Sequence, residues 1–314
     1  MNRARRTEPI GVLMMAYGGP TSLEEVEPYL LDVRGGRPTP PELVEEIRER
    51  YRRIGGRSPL LEITRAQARA LEGRLTAGGS HRFRVYVGMR HWHPYIEEAV
   101  GEMVADGVRQ AVALCMAPQY SRMSVGAYFR ELEGALGRTL ADLEMVSVES
   151  WNDHPLLLRA FGDKIEEALH RFPQGTRQKV PVLFTAHSLP ARILEEGDLY
   201  PGELQETVRG IVDLLGLVEW RFAYQSQAHS DEPWLGPEVE TVLTELAEAG
   251  HTQVLVAPIG FVADHVEVLY DIDIEARHAA ASRGLRLQRI DSLNTLPTFV
   301  SAMASVVRHA LGGP

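Results

Sequence analysis

Three carboxylates, Glu267, Asp271 and Glu275, recur at intervals of four in the segment Gly260-Phe-Val-Ala-Asp-His-Val-Glu-Val-Leu-Tyr-Asp-Ile-Asp-Ile-Glu275. On a helix that spacing stacks them along one face. Like charges so placed repel one another, so the pattern reads either as a solvated acidic face or as a set of ligands for a cation. Asp264 and His265 add oxygen and nitrogen donors where the helix would begin. The apolar run Val254-Leu-Val-Ala-Pro258 just before the segment reads as a buried strand, which makes the acidic stretch the loop and helix that follow it. A second apolar strand, in Val182-Leu-Phe-Thr-Ala-His187-Ser-Leu-Pro190, ends in a histidine. An imidazole at one strand tip and carboxylates beyond another favour the cation.

The elements that must position these groups alternate. Strands are expected at Ile10–Met15, Arg84–Gly88, Ala111–Met116 and Met145–Val148, and again at Val180–Thr185, Trp220–Tyr224, Gln253–Val256 and Arg286–Ile290, with amphipathic helices between them. Such alternation predicts an α/β fold with parallel sheets covered by helices. The halves echo each other. Met15-Ala-Tyr-Gly-Gly-Pro20 and Thr185-Ala-His-Ser-Leu-Pro190 close the first strand of each half, and both third strands run into Ala-Pro, at Ala117-Pro118 and Ala257-Pro258. The expectation is a duplicated unit: two similar Rossmann-like domains, each with a four-stranded parallel sheet, spanning 8–150 and 151–314, with the last helix returning to the first domain. Ligands of open parallel sheets bind at the carboxyl ends of the strands. Two such sheets facing each other would put Tyr17 and His187 on opposite walls of one cleft.

The first half carries about thirty extra residues, within about 21–58, and they are rich in arginine: Arg34, Arg37, Arg48, Arg50, Arg52, Arg53 and Arg57. Glu42, Glu45, Glu46 and Glu49 neutralise part of that charge. A guanidinium fork suits carboxylate or phosphate, and Arg34 and Arg50 are the two favoured for that role.

Composition sets the outer limits. The chain has 314 residues, 44% hydrophobic and 24% charged, with a net charge of −10. These values suit a globular protein and argue against a nucleic-acid partner. One cysteine, Cys115, lies in an apolar run, so no internal disulfide and no cysteine-held cluster can form, as expected in a reducing cytoplasm. The start, Met1-Asn-Arg-Ala-Arg-Arg6 before an apolar stretch, resembles a signal peptide, but Tyr17-Gly-Gly-Pro20 stands where small cleavage-site residues belong. It is read as a first strand. No apolar run is long enough to span a membrane.

Taken together, Met15-Ala-Tyr-Gly-Gly-Pro20, Ile54-Gly-Gly-Arg-Ser-Pro-Leu60, Gly88-Met-Arg-His91, Ala186-His-Ser-Leu-Pro190, Tyr224-Gln-Ser226, Pro233-Trp-Leu-Gly-Pro237 and Gly260 to Asp271 resemble the ferrochelatases, in order, from about residue 10 to 300. The resemblance implies insertion of Fe²⁺ into a porphyrin. It implies that His187 faces the porphyrin nitrogens as proton acceptor, metal ligand or both, with Glu267 as its partner, and that Asp271 and Glu275 continue as a relay for metal or protons. Chemically the pair is apt: two pyrrole protons must leave, and imidazole near its pKa is a suitable base. Tyr17 resembles the branch that uses coproporphyrin III, in which it would become the axial ligand of the product iron. By the same resemblance Arg34, Arg50, Tyr51, Ser58 and Tyr128 would contact the propionates or the ring edge.

His91 is read as a loop histidine satisfied by backbone, Trp234 as packing a rigid turn, and Met14, Met15 and Met123 as core or wall. The expected departures are no [2Fe–2S] cluster, since Cys115 stands alone, and no hydrophobic extension after Gly312-Gly-Pro314. After Gln225-Ser226 the chain runs Gln-Ala-His-Ser-Asp, a local variation. The expectation is a coproporphyrin ferrochelatase of haem b synthesis that takes Fe²⁺ as substrate, binds no tight cofactor, and hands its product to a soluble enzyme of the haem pathway. Alternatives are a protoporphyrin IX ferrochelatase, another tetrapyrrole chelatase, a non-catalytic porphyrin carrier, and a two-lobed solute-binding protein.

Overall fold

The computed structural model describes residues 8–77, 81–139, 142–227 and 232–313. The basic Met1–Arg6 stretch and the variant stretch from 228 to 231 lie outside them. All eight expected strands form: β1 (Ile10–Ala16), β2 (Phe83–Met89), β3 (Gln110–Cys115), β4 (Glu144–Val148), β5 (Val182–His187), β6 (Trp220–Gln225), β7 (Gln253–Pro258) and β8 (Arg286–Arg289). The fifth strand differs most from expectation. Pro181 has no N–H for the ladder, so β5 starts at Val182, and it runs on to His187, which pairs with Gln225.

The helices are α1 (Val26–Val33), α2 (Pro41–Arg53), α3 (Leu60–Thr76), α4 (Ile96–Ala105), α5 (Val125–Arg138), α6 (Pro155–Leu169), α7 (Tyr200–Leu215), α8 (Val239–Glu248), α9 (Val266–Leu269), α10 (Arg277–Ser282) and α11 (Pro297–Ala310). The chain divides into two compact units, one of Met1–Trp151 with Asn294–Pro314, the other of Asn152–Leu293.

In the first unit a parallel sheet runs β2-β1-β3-β4, and in the second β6-β5-β7-β8. Each sheet therefore has the order second, first, third, fourth, as a duplicated unit should. The central strands are buried on both faces, which accounts for their unbroken apolar sequences: Val12 to Met15 and Ala111 to Leu114 in the first sheet, Val254 to Ala257 in the second. Met14 and Met15 are core residues. Cys115 is buried too, and burial pushes its thiol up to about 12, leaving it inert.

The arginine-rich insertion folds as α1 and α2. Two of its carboxylates anchor it to the loop after β2: Glu25 accepts from the Trp92 indole at 3.0 Å, and Asp32 meets His91 at 2.8 Å and the Tyr95 hydroxyl at 3.4 Å. The final helix, α11, belongs to the first unit. Its Phe299 is fully buried and stacks on Trp151 with ring centroids 5.9 Å apart.

The acidic segment is not one continuous α-helix. α9 lasts four residues, Asp271–Ala276 form a π-helical turn, and α10 follows. The Glu275 N–H reaches back five residues to the Tyr270 carbonyl at 3.0 Å. Such turns are rare and recur at functional sites.

Candidate active site

In the second unit the tips of β5 and β7 converge. The loop after β7 passes so close to β5 that a Cβ on Gly260 would lie 2.8 Å from the Ala186 Cβ, and glycine is what admits the approach. That loop delivers α9, and Glu267 on it takes a place between two imidazoles. One carboxylate oxygen is 3.5 Å from His187 Nε2 and the other 3.5 Å from His265 Nε2. His187 and Glu267 both remain 30% exposed, so they are open to a ligand.

The backbone around them is tied down. His187 Nδ1 donates to the Ser188 carbonyl, the Tyr200 hydroxyl donates to the His187 carbonyl at 3.0 Å, and the Gln225 amide donates to the Glu267 carbonyl at 2.8 Å. Gln225 is itself held by the Thr185 hydroxyl at 2.7 Å. The backbone of Trp234 bridges to Pro190, and its neighbour Leu235 accepts from the Ser188 hydroxyl at 2.9 Å.

The acidic ridge divides by partner. Asp271 accepts from the hydroxyl of Ser226, a residue in the left-handed region with φ of 59°. Asp273, on another face of the π turn, pairs with Arg289 and Arg277. Glu275 is exposed.

In the first unit Tyr17 stands at the tip of β1 with 39% of its surface exposed, and its ring centroid lies 4.7 Å from that of His91. His91 is satisfied by the Asp32 carboxylate rather than by backbone; burial lowers its pKa, against the opposing pull of Asp32. Tyr51 and Ser58 are buried and border Gly19, where a Cβ would lie 2.7 Å from the Ser58 hydroxyl. Tyr128 is buried under the Arg90 guanidinium, 5.8 Å from its ring. Arg50 reaches Glu46 at 3.0 Å. Arg34, at the end of α1, keeps a buried Nε that no hydrogen bond satisfies among the described residues.

A site of this kind, at strand tips of a duplicated parallel α/β unit, can be set against known proteins. The ferrochelatase family profile matches residues 9–311. The chain belongs to the ferrochelatase family. A ferrochelatase of Herpetosiphon aurantiacus is 45% identical over 94% of this chain and 97% of its own length. A coproporphyrin III ferrochelatase of Geobacillus kaustophilus is 40% identical over 95% of this chain and 94% of its own. Among solved structures, the sirohydrochlorin chelatase SirB of Bacillus subtilis subspecies spizizenii, in complex with cobalt, shares the fold with a TM-score of 0.58, covering 98% of this chain and 97% of that one at 12% identity.

This ferrochelatase is thus a metal chelatase, a lyase whose substrates are a porphyrin and iron. Among the described residues no helix is long and apolar enough to cross a membrane. Burial alone would lower the His187 pKa, but the charge and hydrogen bond of Glu267 outweigh it and push the imidazole up to about 9. Glu267 is correspondingly held well below the usual carboxylate range, despite burial, by His187 and His265. Each group thus favours the charged form of the other, and free imidazole, the base the sequence suggests, is disfavoured while Glu267 faces it.

Sequence reasoning placed His187 and Glu267 together but gave no role to Gln225 or to His265's contact with Glu267. The available signal was the polar pair Gln225-Ser226 ending an apolar strand.

Proposed function

We propose that this chain inserts Fe²⁺ into coproporphyrin III, releasing two protons and coproheme III, as a step of haem b synthesis. The observation that carries the reading is Tyr17: a phenol at the β1 tip, left open on one side and packed against His91 on the other. In this reading its phenol becomes an oxygen ligand of the product iron. Two further features support the substrate. Coproporphyrin III carries four propionates, and Arg34 and Arg50 bring guanidinium groups to the end of α1 and to α2, with the Arg34 Nε lacking a hydrogen-bond partner among the described residues. Relatives 38–40% identical over nearly the whole chain are coproporphyrin III ferrochelatases.

In this reading His187 and Glu267 form the metal-inserting pair. Fe²⁺ displaces the proton on His187, Glu267 helps to strip the metal's water, and the pair then takes up pyrrole protons. Asp271 and Glu275 relay metal or protons along the ridge. Tyr51, Ser58 and Tyr128 are buried, so in this reading they support the porphyrin-binding wall from behind. Iron is substrate, and no bound cofactor is needed. The reading carries a cytoplasmic location and handover of coproheme to a soluble enzyme of the haem pathway.

The test is anaerobic incubation with Fe²⁺ and either coproporphyrin III or protoporphyrin IX, followed by visible absorbance. Faster insertion into coproporphyrin III is expected. Preference for protoporphyrin IX would keep the enzyme class and overturn the substrate; tight binding without insertion of either would make the protein a carrier.

A further inference from the structure

Arg289 is the last residue of β8, registered against Val256 of β7, and its side chain is only 11% exposed. It donates to both oxygens of Asp273, from Nε at 3.1 Å and from Nη2 at 2.8 Å. Nη1 donates to the Ile290 carbonyl at 2.7 Å and lies 3.4 Å from both the Ser292 hydroxyl and Asp264 Oδ1. Ser292 donates to the same Asp264 oxygen at 2.7 Å. One guanidinium therefore binds two carboxylates that bracket a segment of chain. Asp264 lies before α9 and Asp273 lies in the π turn, and between them stand His265, Glu267 and Asp271.

We propose that Arg289 is a positioning residue for metal insertion: by gripping Asp264 and Asp273 together it fixes the α9–π-turn segment that presents Glu267 to His187. The inference deepens the role proposed for Glu267 and rests on it. The physical need is plain. Residues 264 to 275 carry the carboxylates of Asp264, Glu267, Asp271, Asp273 and Glu275, whose mutual repulsion favours splaying the segment. A buried cation shared by the two bracketing residues opposes this where solvent screens least. The bidentate fork also fixes direction, which a point charge does not.

The experiment compares wild type with R289M, R289K and D273N in anaerobic Fe²⁺ insertion, alongside porphyrin affinity by fluorescence quenching and circular-dichroism melting. R289M is expected to raise KM for Fe²⁺ by about tenfold and to lower kcat, with porphyrin affinity within about twofold of wild type. R289K, which keeps the charge without the fork, should recover only part of the loss. Should R289M not fold, D273N carries the test at similar volume, with an expected rise of about threefold or more in KM for Fe²⁺ and a native melting curve. Wild-type kinetics in R289K, or an equal loss of porphyrin and iron binding in R289M or D273N, would overturn the brace. E267Q separates the two claims. Wild-type iron kinetics in E267Q would remove the role of Glu267 itself, whereas an impaired E267Q beside native R289M and D273N would remove the brace alone.

Discussion

His187 and Glu267 shift each other's titration in opposite directions, which ties the stability of this site to pH. His187 has its pKa raised from 6.5 to about 9, so the stability it contributes is full below about 6.5 and lost as pH rises through 9. Glu267 has its pKa lowered from 4.5, so its contribution is full above that value and lost as pH falls through its folded pKa. The pair thus supports the fold best between those two unfolded-state values. Urea unfolding of wild type and E267Q across pH should show the largest difference there. Histidine NMR should show the His187 pKa dropping in E267Q, since burial then acts without its opponent; an unchanged value would mean that Glu267 is not what holds the proton. In the proposed insertion the metal replaces the proton on His187, so KM for Fe²⁺ should fall as pH rises from 6 toward 9. Replacing His187 by alanine should slow insertion by about 10²–10⁴-fold while porphyrin quenching stays native. Tyr17→Phe should change the visible spectrum of bound product more than the rate, and an unaltered spectrum would exclude the phenol as ligand.

Elements set those residues within reach of each other, and their tolerances are small. Gly260→Ala forces a methyl group against Ala186, whose Cβ would lie 2.8 Å and whose backbone α-carbon 3.0 Å from it, so the loop after β7 must move. Overpacking of this kind costs about 1–3 kcal/mol. A lowered melting temperature and slower insertion are expected, with partial recovery in the double variant Ala186→Gly/Gly260→Ala. Recovery should be incomplete because glycine at 186 removes the opposing methyl but leaves the backbone in the way. The π turn shows why the acidic segment could not be read fully in advance. Intervals of four suit a range of helical pitches, and the sequence pattern is the same in each. Two carboxylates of the turn also take partners from outside the segment, Ser226 on Asp271 and Arg289 on Asp273, which the pattern does not announce.

At the scale of the molecule, the chain leaves the first unit at Trp151 and returns to it at Asn294. The returning helix, α11, brings Phe299, Met303 and Val307, all fully buried, into the first unit. Phe299→Ala should cost about 3–5 kcal/mol. Hydrogen exchange should locate the loss: amides of β1 to β4 are expected to exchange faster, with those of β5 to β8 unchanged. Equal acceleration in both sheets would mean that the two units unfold as one.

The sequence determined the α/β class, the eight strands, the doubling, and the residue types at the strand tips, because apolar runs and helical periodicity are local properties that need no partner to be read. It singled out His187, Glu267 and Tyr17 because each stands at or beyond the end of such a run. Tertiary structure decided the rest: that Glu267 sits between His187 and His265, that each of the pair thereby favours the other's charged form, that Tyr51, Ser58 and Tyr128 are buried, and that Arg289 meets both Asp264 and Asp273. Each of these depends on groups far apart in the chain meeting within a few ångströms. Strand register and close packing determine such distances, and local pattern does not encode them.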